Sequence, residues 1–154
     1  MLNITIIAVG KIKEKSLNAL QNDYLKRIKP FAKIELVEIQ TVAFGQSNQI
    51  KAKDEEGKKM LSILRKYSNS IIILLDERGS EFNSLEFAKF LEKNNQHIVF
   101  LIGGALGLSP AVLQKIDFKL SLSQMTFPHE MARVLLLEQI YRAVTIVNGK
   151  QYHY

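Results

Sequence analysis

The sequence predicts one α/β domain over residues 1–154, with a mainly parallel sheet and helices on both faces. Three observations carry that expectation. Two short runs, "SIIILL" at 70–75 and "HIVFLI" at 97–102, are apolar at nearly every position, as strands covered on both faces must be. Strand-like and helix-like segments alternate along the whole chain, with no linker, internal repeat or low-complexity stretch between them. The length, 154 residues, is that of one ordinary domain and suffices to bury a core without staples.

The elements follow in order. Asn3 to Val9 ("NITIIAV") is β-branched and apolar and stops at Gly10, which reads as a strand. Between Ser16 and Ile28, residues Leu17, Leu20, Tyr24 and Ile28 recur three or four apart and make one helix face. Lys33 to Ile39 alternates, with Ile34, Leu36 and Val37 or Ile39 inward, the pattern of a half-buried strand near an edge. A polar loop around "TVAFGQSN" leads to a charged helix from about Ile50 to Lys66. Ser70 to Leu75 is a central strand, and "DERGSEFNS" is the loop after it, turned by Gly79. Ser84 caps a helix that opens at Leu85 and points Phe87, Phe90 and Leu91 inward. His97 to Ile102 is a second central strand, followed at once by "GGALGLS". Ser109-Pro110 then forms the cap and first turn of a helix from Ala111 to Ile116. Phe118 to Leu122 is a short last strand. Pro128 starts a final helix, Glu130 to Val147, that is apolar on nearly every side. Such a helix must be buried nearly all round, and one sheet face cannot cover it, so its free side is expected to meet a second copy of the chain.

Composition limits the function classes. Apolar residues make up 47% and charged residues 23%, as in globular rather than disordered chains. Cysteine is absent, which excludes disulfides and thiolate metal sites and fits a reducing compartment. The opening "MLNITIIAVGKIKEK" puts its charges after a short apolar run and reads as a strand rather than a signal peptide, and no stretch is long enough to span a bilayer; a cytoplasmic protein is expected. The net charge of +6 arises wholly before Tyr67, where 13 Lys and Arg face 7 Asp and Glu; the remainder is balanced at 8 against 8. That asymmetry is either a basic face for a polyanion or a solvated lysine surface.

In open α/β sheets ligands gather beyond the carboxyl ends of the strands. Three loops of unusual composition leave such ends, after Leu75, Ile102 and Leu122, and they converge only if their strands are neighbours. The glycines of the second loop, Gly103, Gly104 and Gly107, either approach a ligand or turn a tight corner. They match neither G-x-G-x-x-G nor G-x-x-x-x-G-K-[ST], so a phosphate cradle is not expected. Asp76 and Glu77 accept from ribose hydroxyls or merely solvate their loop. The three histidines are far apart and show no metal-ligand spacing, and no G-x-S-x-G elbow supports a serine nucleophile. His129, in the first turn of the last helix, is either a base or hydrogen-bond donor or a solvent-facing residue. Glu138 and Arg142, four apart with the acid first, form a favourable helical pair.

The segments "LDERGSEFNSLEFA", "FLIGGALGLS", "LSLSQMTFPHEMARVLLLEQIYRA" and the terminal "YHY", with "ITIIAVGKIKEK" at the start, resemble the small bacterial methyltransferases that modify a pseudouridine at N3 in large-subunit ribosomal RNA. These are members of the SPOUT class, and the resemblance covers essentially the whole chain. It implies a C-terminal trefoil knot, which sequence patterns alone would never propose. It also implies S-adenosylmethionine as cofactor, a homodimer packed through the last helix, and ribosomal RNA, in the assembled ribosome, as partner; that no metal and no membrane take part is expected from the histidine spacing and the short apolar runs. Carried onto this chain, the cofactor contacts are Leu75, Gly103, Gly104, Leu122, Ser123, Gln124, Met125, Thr126 and Phe127. The residues assigned to catalysis are His129, Arg142, Tyr152 and His153, with Arg133 nearby. Relatives place a basic residue where this chain has Tyr154. A non-catalytic ribosome- or RNA-binding factor that retains the fold is the competing reading; the intact polar run Ser121 to Thr126 speaks against it. A flavodoxin-type phosphate-ligand enzyme is disfavoured by the absence of a hydroxyl- or glycine-rich loop after the first strand.

Overall fold

The computed structural model describes residues 1–154, and the five apolar or alternating runs become five strands. They are β1 (Leu2–Val9), β2 (Ala32–Ile39), β3 (Ile71–Glu81), β4 (Ile98–Ile102) and β5 (Phe118–Ser121). All pair in parallel, in the order β2-β1-β4-β3-β5. The alternating strand β2 takes one edge, as its half-exposed pattern requires, and the short β5 takes the other. β4, apolar at each position, is buried throughout its length between β1 and β3.

Successive side chains of a strand point to opposite faces, so each strand feeds two cores. On one face Ile4, Ile6, Phe100 and Ile102 pack against Ile28, the last residue of α1 (Lys15–Ile28), Phe87 and Leu91 of α3 (Ser84–Lys93), and Leu136, Leu137 and Ile140 of α5 (His129–Val147). On the other, Ile7, Val9, Val99 and Leu101 meet Met60 and Leu64 of α2 (Gln49–Leu64) and Val112 of α4 (Pro110–Leu113). Helices on both faces are thus what the period-two strands require.

Four details depart from the sequence reading. β3 runs on to Glu81, because Leu120 of β5 registers with both Leu75 and Ser80. Residues 76–79 are thereby extruded as a bulge that bends the strand end. Gly79 permits it: a Cβ there would stand 2.5 Å from the Lys119 carbonyl oxygen, so β3 could not return to β5. Second, Asn83 rather than Ser84 caps α3. Its side chain accepts from the Glu86 N–H at 2.9 Å while Glu86 accepts from the Asn83 N–H at 2.8 Å, a reciprocal capping box. Ser84 instead donates to Gln139 of α5 at 2.8 Å. Third, α4 ends at Leu113, since Asp117 must turn back to pair with Ile72 through both its backbone N–H and its carboxylate.

The fourth concerns α5. Its all-round apolar pattern predicts a partner on its outer side, yet most of its circumference is covered from within the chain. The sheet lies beneath it, α1 flanks one side and α3 the other, so a central helix of one chain accounts for most of that pattern. Among its large apolar residues Met131 is exposed, at 38%, and Leu135, Tyr141, Ile146 and Val147 are half-buried.

At the opposite end of the sheet His97 accepts or donates with Thr5 Oγ1 at 2.8 Å and meets the edge of Tyr67. Burial pushes its imidazole below the ordinary histidine range, against the opposing pull of Glu35. A depressed histidine favours the folded state above the unfolded value near pH 6.5 and loses that contribution as pH falls below it. The expected result is that thermal stability drops from about pH 7 to pH 5 more in the wild type than in His97→Gln. Parallel melting curves would count against this.

Candidate active site

The order β4-β3-β5 makes neighbours of the three strands whose trailing loops stood out, so those loops do converge. They line one cleft of about 570 Å³ at the carboxyl ends of the strands. Leu75 comes from β3, Gly103 and Gly104 from the loop after β4, and Leu122, Ser123, Met125, Thr126 and Phe127 from the loop after β5. His129 and Ala132 close the cleft from the first turn of α5. Gln124 does not line it; the side chain is exposed where the chain turns outward.

Local chemistry explains how each wall is held. The Asp76 carboxylate accepts from the Arg78 backbone N–H at 2.9 Å and from its guanidinium at 3.2 Å, which pins the β3 bulge. The same hydrogen bonds hold Asp76 below the usual carboxylate range, so it is ionised at neutral pH. Thr126 donates to the Glu77 carboxylate, joining bulge and last loop. Ser121 Oγ lies 3.1 Å from the Glu77 carbonyl oxygen and 2.9 Å from that of Ser123, whose own hydroxyl accepts from the Met125 N–H at 3.1 Å. The polar run is therefore engaged in shaping its own loop. In the glycine loop a Cβ at Gly104 would meet Val9 at 3.0 Å, and Gly107, at φ 73°, donates back to the Gly104 carbonyl oxygen at 3.0 Å. These two glycines turn a corner against β1, and the loop reaches the cleft as a consequence.

The residues assigned to catalysis fall in two places. His129 is at the cleft. Arg142 lies thirteen positions along α5, or about 20 Å away at the helical rise. There its guanidinium binds Glu138 Oε1 at 2.5 and 3.1 Å, donates to His153 Nδ1 at 3.3 Å and sits 4.8 Å from the Tyr152 ring centroid. Tyr152 donates to Glu138 at 3.2 Å, and burial above all pushes its phenol well up, so it is a neutral donor. Arg133 belongs to neither group. It is 1% exposed, bound to Glu38 and the Gly10 carbonyl oxygen at 2.8 Å and to Gln21 at 3.3 Å, which makes it an internal brace.

Sequence reasoning passed over Lys53, which lines the cleft from α2. Nothing in its charged helix marks it out; only the packing of α2 against α4 places it there. It did identify the basic excess, and Lys11, Lys13, Lys15, Lys51 and Lys53 follow the carboxyl ends of β1 and β2, at the cleft's end of the sheet.

An all-parallel sheet whose three neighbouring strand ends share one cleft, with a histidine at its rim, is the arrangement in which α/β proteins collect a ligand. The comparisons specify the family. Residues 2–153 match the family profile described as "Predicted SPOUT methyltransferase". "Ribosomal RNA large subunit methyltransferase H" of Clostridium acetobutylicum is 42% identical over 160 residues, covering 99% of each chain, and that of Clostridium kluyveri is 41% identical with the same coverage. A structure described as a "probable methylase family protein" from Haemophilus influenzae shares the fold at a TM-score of 0.60 and 16% identity, covering 99% of this chain and 71% of that one. The chain belongs to the SPOUT methyltransferase family.

Proposed function

We propose that this chain transfers a methyl group from S-adenosylmethionine to N3 of a pseudouridine in large-subunit ribosomal RNA, acting as a cytoplasmic homodimer on the assembled ribosome. The observation that carries the reading is the convergence of the loops after β3, β4 and β5 on one cleft with His129 at its rim. Full-length similarity to relatives named for ribosomal RNA methylation supports it. Threading of the segment after β5 past the loop after β4 belongs to the same reading.

The cleft suits that cofactor. Its volume is in the range of small-ligand sites. Leu75, Ile102, Leu122 and Phe127 offer apolar walls to an adenine, Asp76 and Glu77 offer acceptors to hydroxyl and ammonium groups, and no phosphate needs a cradle. When bound, the cofactor supplies an electrophilic methyl on a sulfonium. The chain's part is to hold the uracil ring in line, exclude water and take the N3 proton. His129 is the base within reach of the cleft, and the Arg142 guanidinium suits the imide anion that proton loss creates.

In one chain those two groups stand about 20 Å apart. A two-fold dimer that brings the Arg142, Tyr152 and His153 cluster of one copy to the cleft of the other unites them, which favours the dimer more than the apolar pattern of α5 does. Lys11, Lys13, Lys15 and Lys51, at the cleft's end of the sheet but outside the cleft, serve RNA phosphates. Ribosome binding should therefore weaken steeply between about 50 and 200 mM salt; a flat response contradicts that role. The decisive experiment pairs calorimetric titration with S-adenosylmethionine and mass spectrometry of ribosomal RNA from cells with and without the gene. No cofactor binding and an unchanged RNA mass would leave a ribosome-binding factor instead.

A further inference from the structure

Two permanent cations line the cleft, Lys53 and Arg78. Arg78 is committed: its side chain is 82% exposed and tied to Asp76. Lys53 is half-buried and has no hydrogen-bond or ion-pair partner. The nearest acid along its helix face, Glu56, is buried and spends its carboxylate on the Val42 N–H at 3.0 Å. Lys53 therefore stands beside Gly107 and Leu108 as a charge without a counterion, in a cleft whose β3 bulge presents Glu77, which gives only Oε2 to Thr126 and keeps Oε1 without a partner. A ligand that completes this arrangement carries an oxyanion toward α2 and a cationic group toward the bulge.

We infer that Lys53 binds the α-carboxylate of the cofactor's amino-acid arm and so sets the cleft's preference for an intact methionine moiety. The inference rests on the cofactor assigned under the proposed function. A lysine is suited to the task because a compact ammonium on a flexible stem can follow a carboxylate at the end of a mobile arm. An RNA phosphate offers the same oxyanion chemistry, and the two sources separate by experiment.

Calorimetry with S-adenosylmethionine and with its decarboxylated analogue, which keeps the ammonium and lacks only the carboxylate, isolates the contact. Wild-type protein should prefer the intact cofactor. Lys53→Gln should weaken the intact cofactor about five- to tenfold and the decarboxylated one less than about twofold, as expected for one charge-assisted bond in a partly solvated site. Lys53→Arg should recover most of the loss, and Lys53→Met should behave as Lys53→Gln does, with melting temperatures unchanged in all three. Equal weakening of both ligands overturns the inference in favour of a packing role. Unchanged cofactor affinity with a shallower salt dependence of ribosome binding overturns it in favour of a phosphate contact. A wild-type protein that binds neither ligand defeats the reading of the cleft itself, an outcome distinct from wild-type discrimination that survives Lys53→Gln.

Discussion

His129→Ala and Arg142→Ala should each lose about 100-fold or more in single-turnover methylation, yet an equimolar mixture, after subunit exchange, should recover about a quarter of wild-type activity. The physical basis is separation. The two side chains lie at opposite ends of α5, and a 19-residue helix braced by α1 and α3 cannot fold back on itself. If one copy supplies His129 and the other Arg142, half of the protomers in a random mixture sit in mixed dimers, each with one intact site of two. Absence of recovery would mean that the groups do not act across a dimer. Full activity of His129→Ala alone on saturating ribosomes would remove it from the reaction.

The second large effect falls on stability. Arg133→Ala is expected to cost about 3 kcal/mol and to lower Tm by about 10 °C. The guanidinium is 1% exposed and joins three elements: Glu38 at the end of β2, Gln21 in α1 and the Gly10 carbonyl oxygen after β1. Truncation leaves those acceptors facing a cavity. Because Glu38 keeps 27% of its side-chain surface in water, it can be rehydrated in part, which holds the cost toward the lower end for a buried pair. Arg133 Nε has no acceptor, so the brace is itself imperfect. Arg133→Met should be milder, since it refills the space, and adding Glu38→Gln to it should restore part of the remainder. A loss below about 1 kcal/mol in denaturant titration would show that the brace contributes little.

Arg133 also marks where resemblance and geometry part. Similarity places it near the reaction, four residues from His129, but that step carries a side chain about 6 Å along the helix axis and about 40° around it. His129 faces the cleft while Arg133 points into the junction of α1 and the two strand ends. Glu130, next to His129, accepts from the Lys13 and Glu14 N–H groups before α1, so the first turn of α5 is anchored to the segment after β1. His129 is thus presented from a fixed helix start, which a positioned base requires.

The fold was legible wherever a residue's burial followed from its own neighbours in sequence. "SIIILL" and "HIVFLI" could only be covered strands, "KIELVEI" only a half-covered one, and the three loops after strands stood out by their composition. The capping box was misplaced by one residue because Asn83 and Ser84 are both good caps, and the choice depends on Gln139 claiming the Ser84 hydroxyl. The continuation of β3 was invisible because it depends on backbone contact across Gly79 with a strand some forty residues later. Lys53 was overlooked for the same kind of reason: a lysine in a charged helix acquires meaning only from what the helix packs beside.

From the sequence alone came the alternation of strands and helices, the basic first half and the candidate loops. Each depends on side-chain type and spacing along the chain. Only the tertiary structure decided that β4, β3 and β5 are neighbours, that α5 is covered mainly by its own chain, that Arg133 is an internal brace, and that His129 and Arg142 stand far apart. Those facts arise from strand order and helix packing, which depend on contacts between residues distant in sequence and leave no local pattern to read.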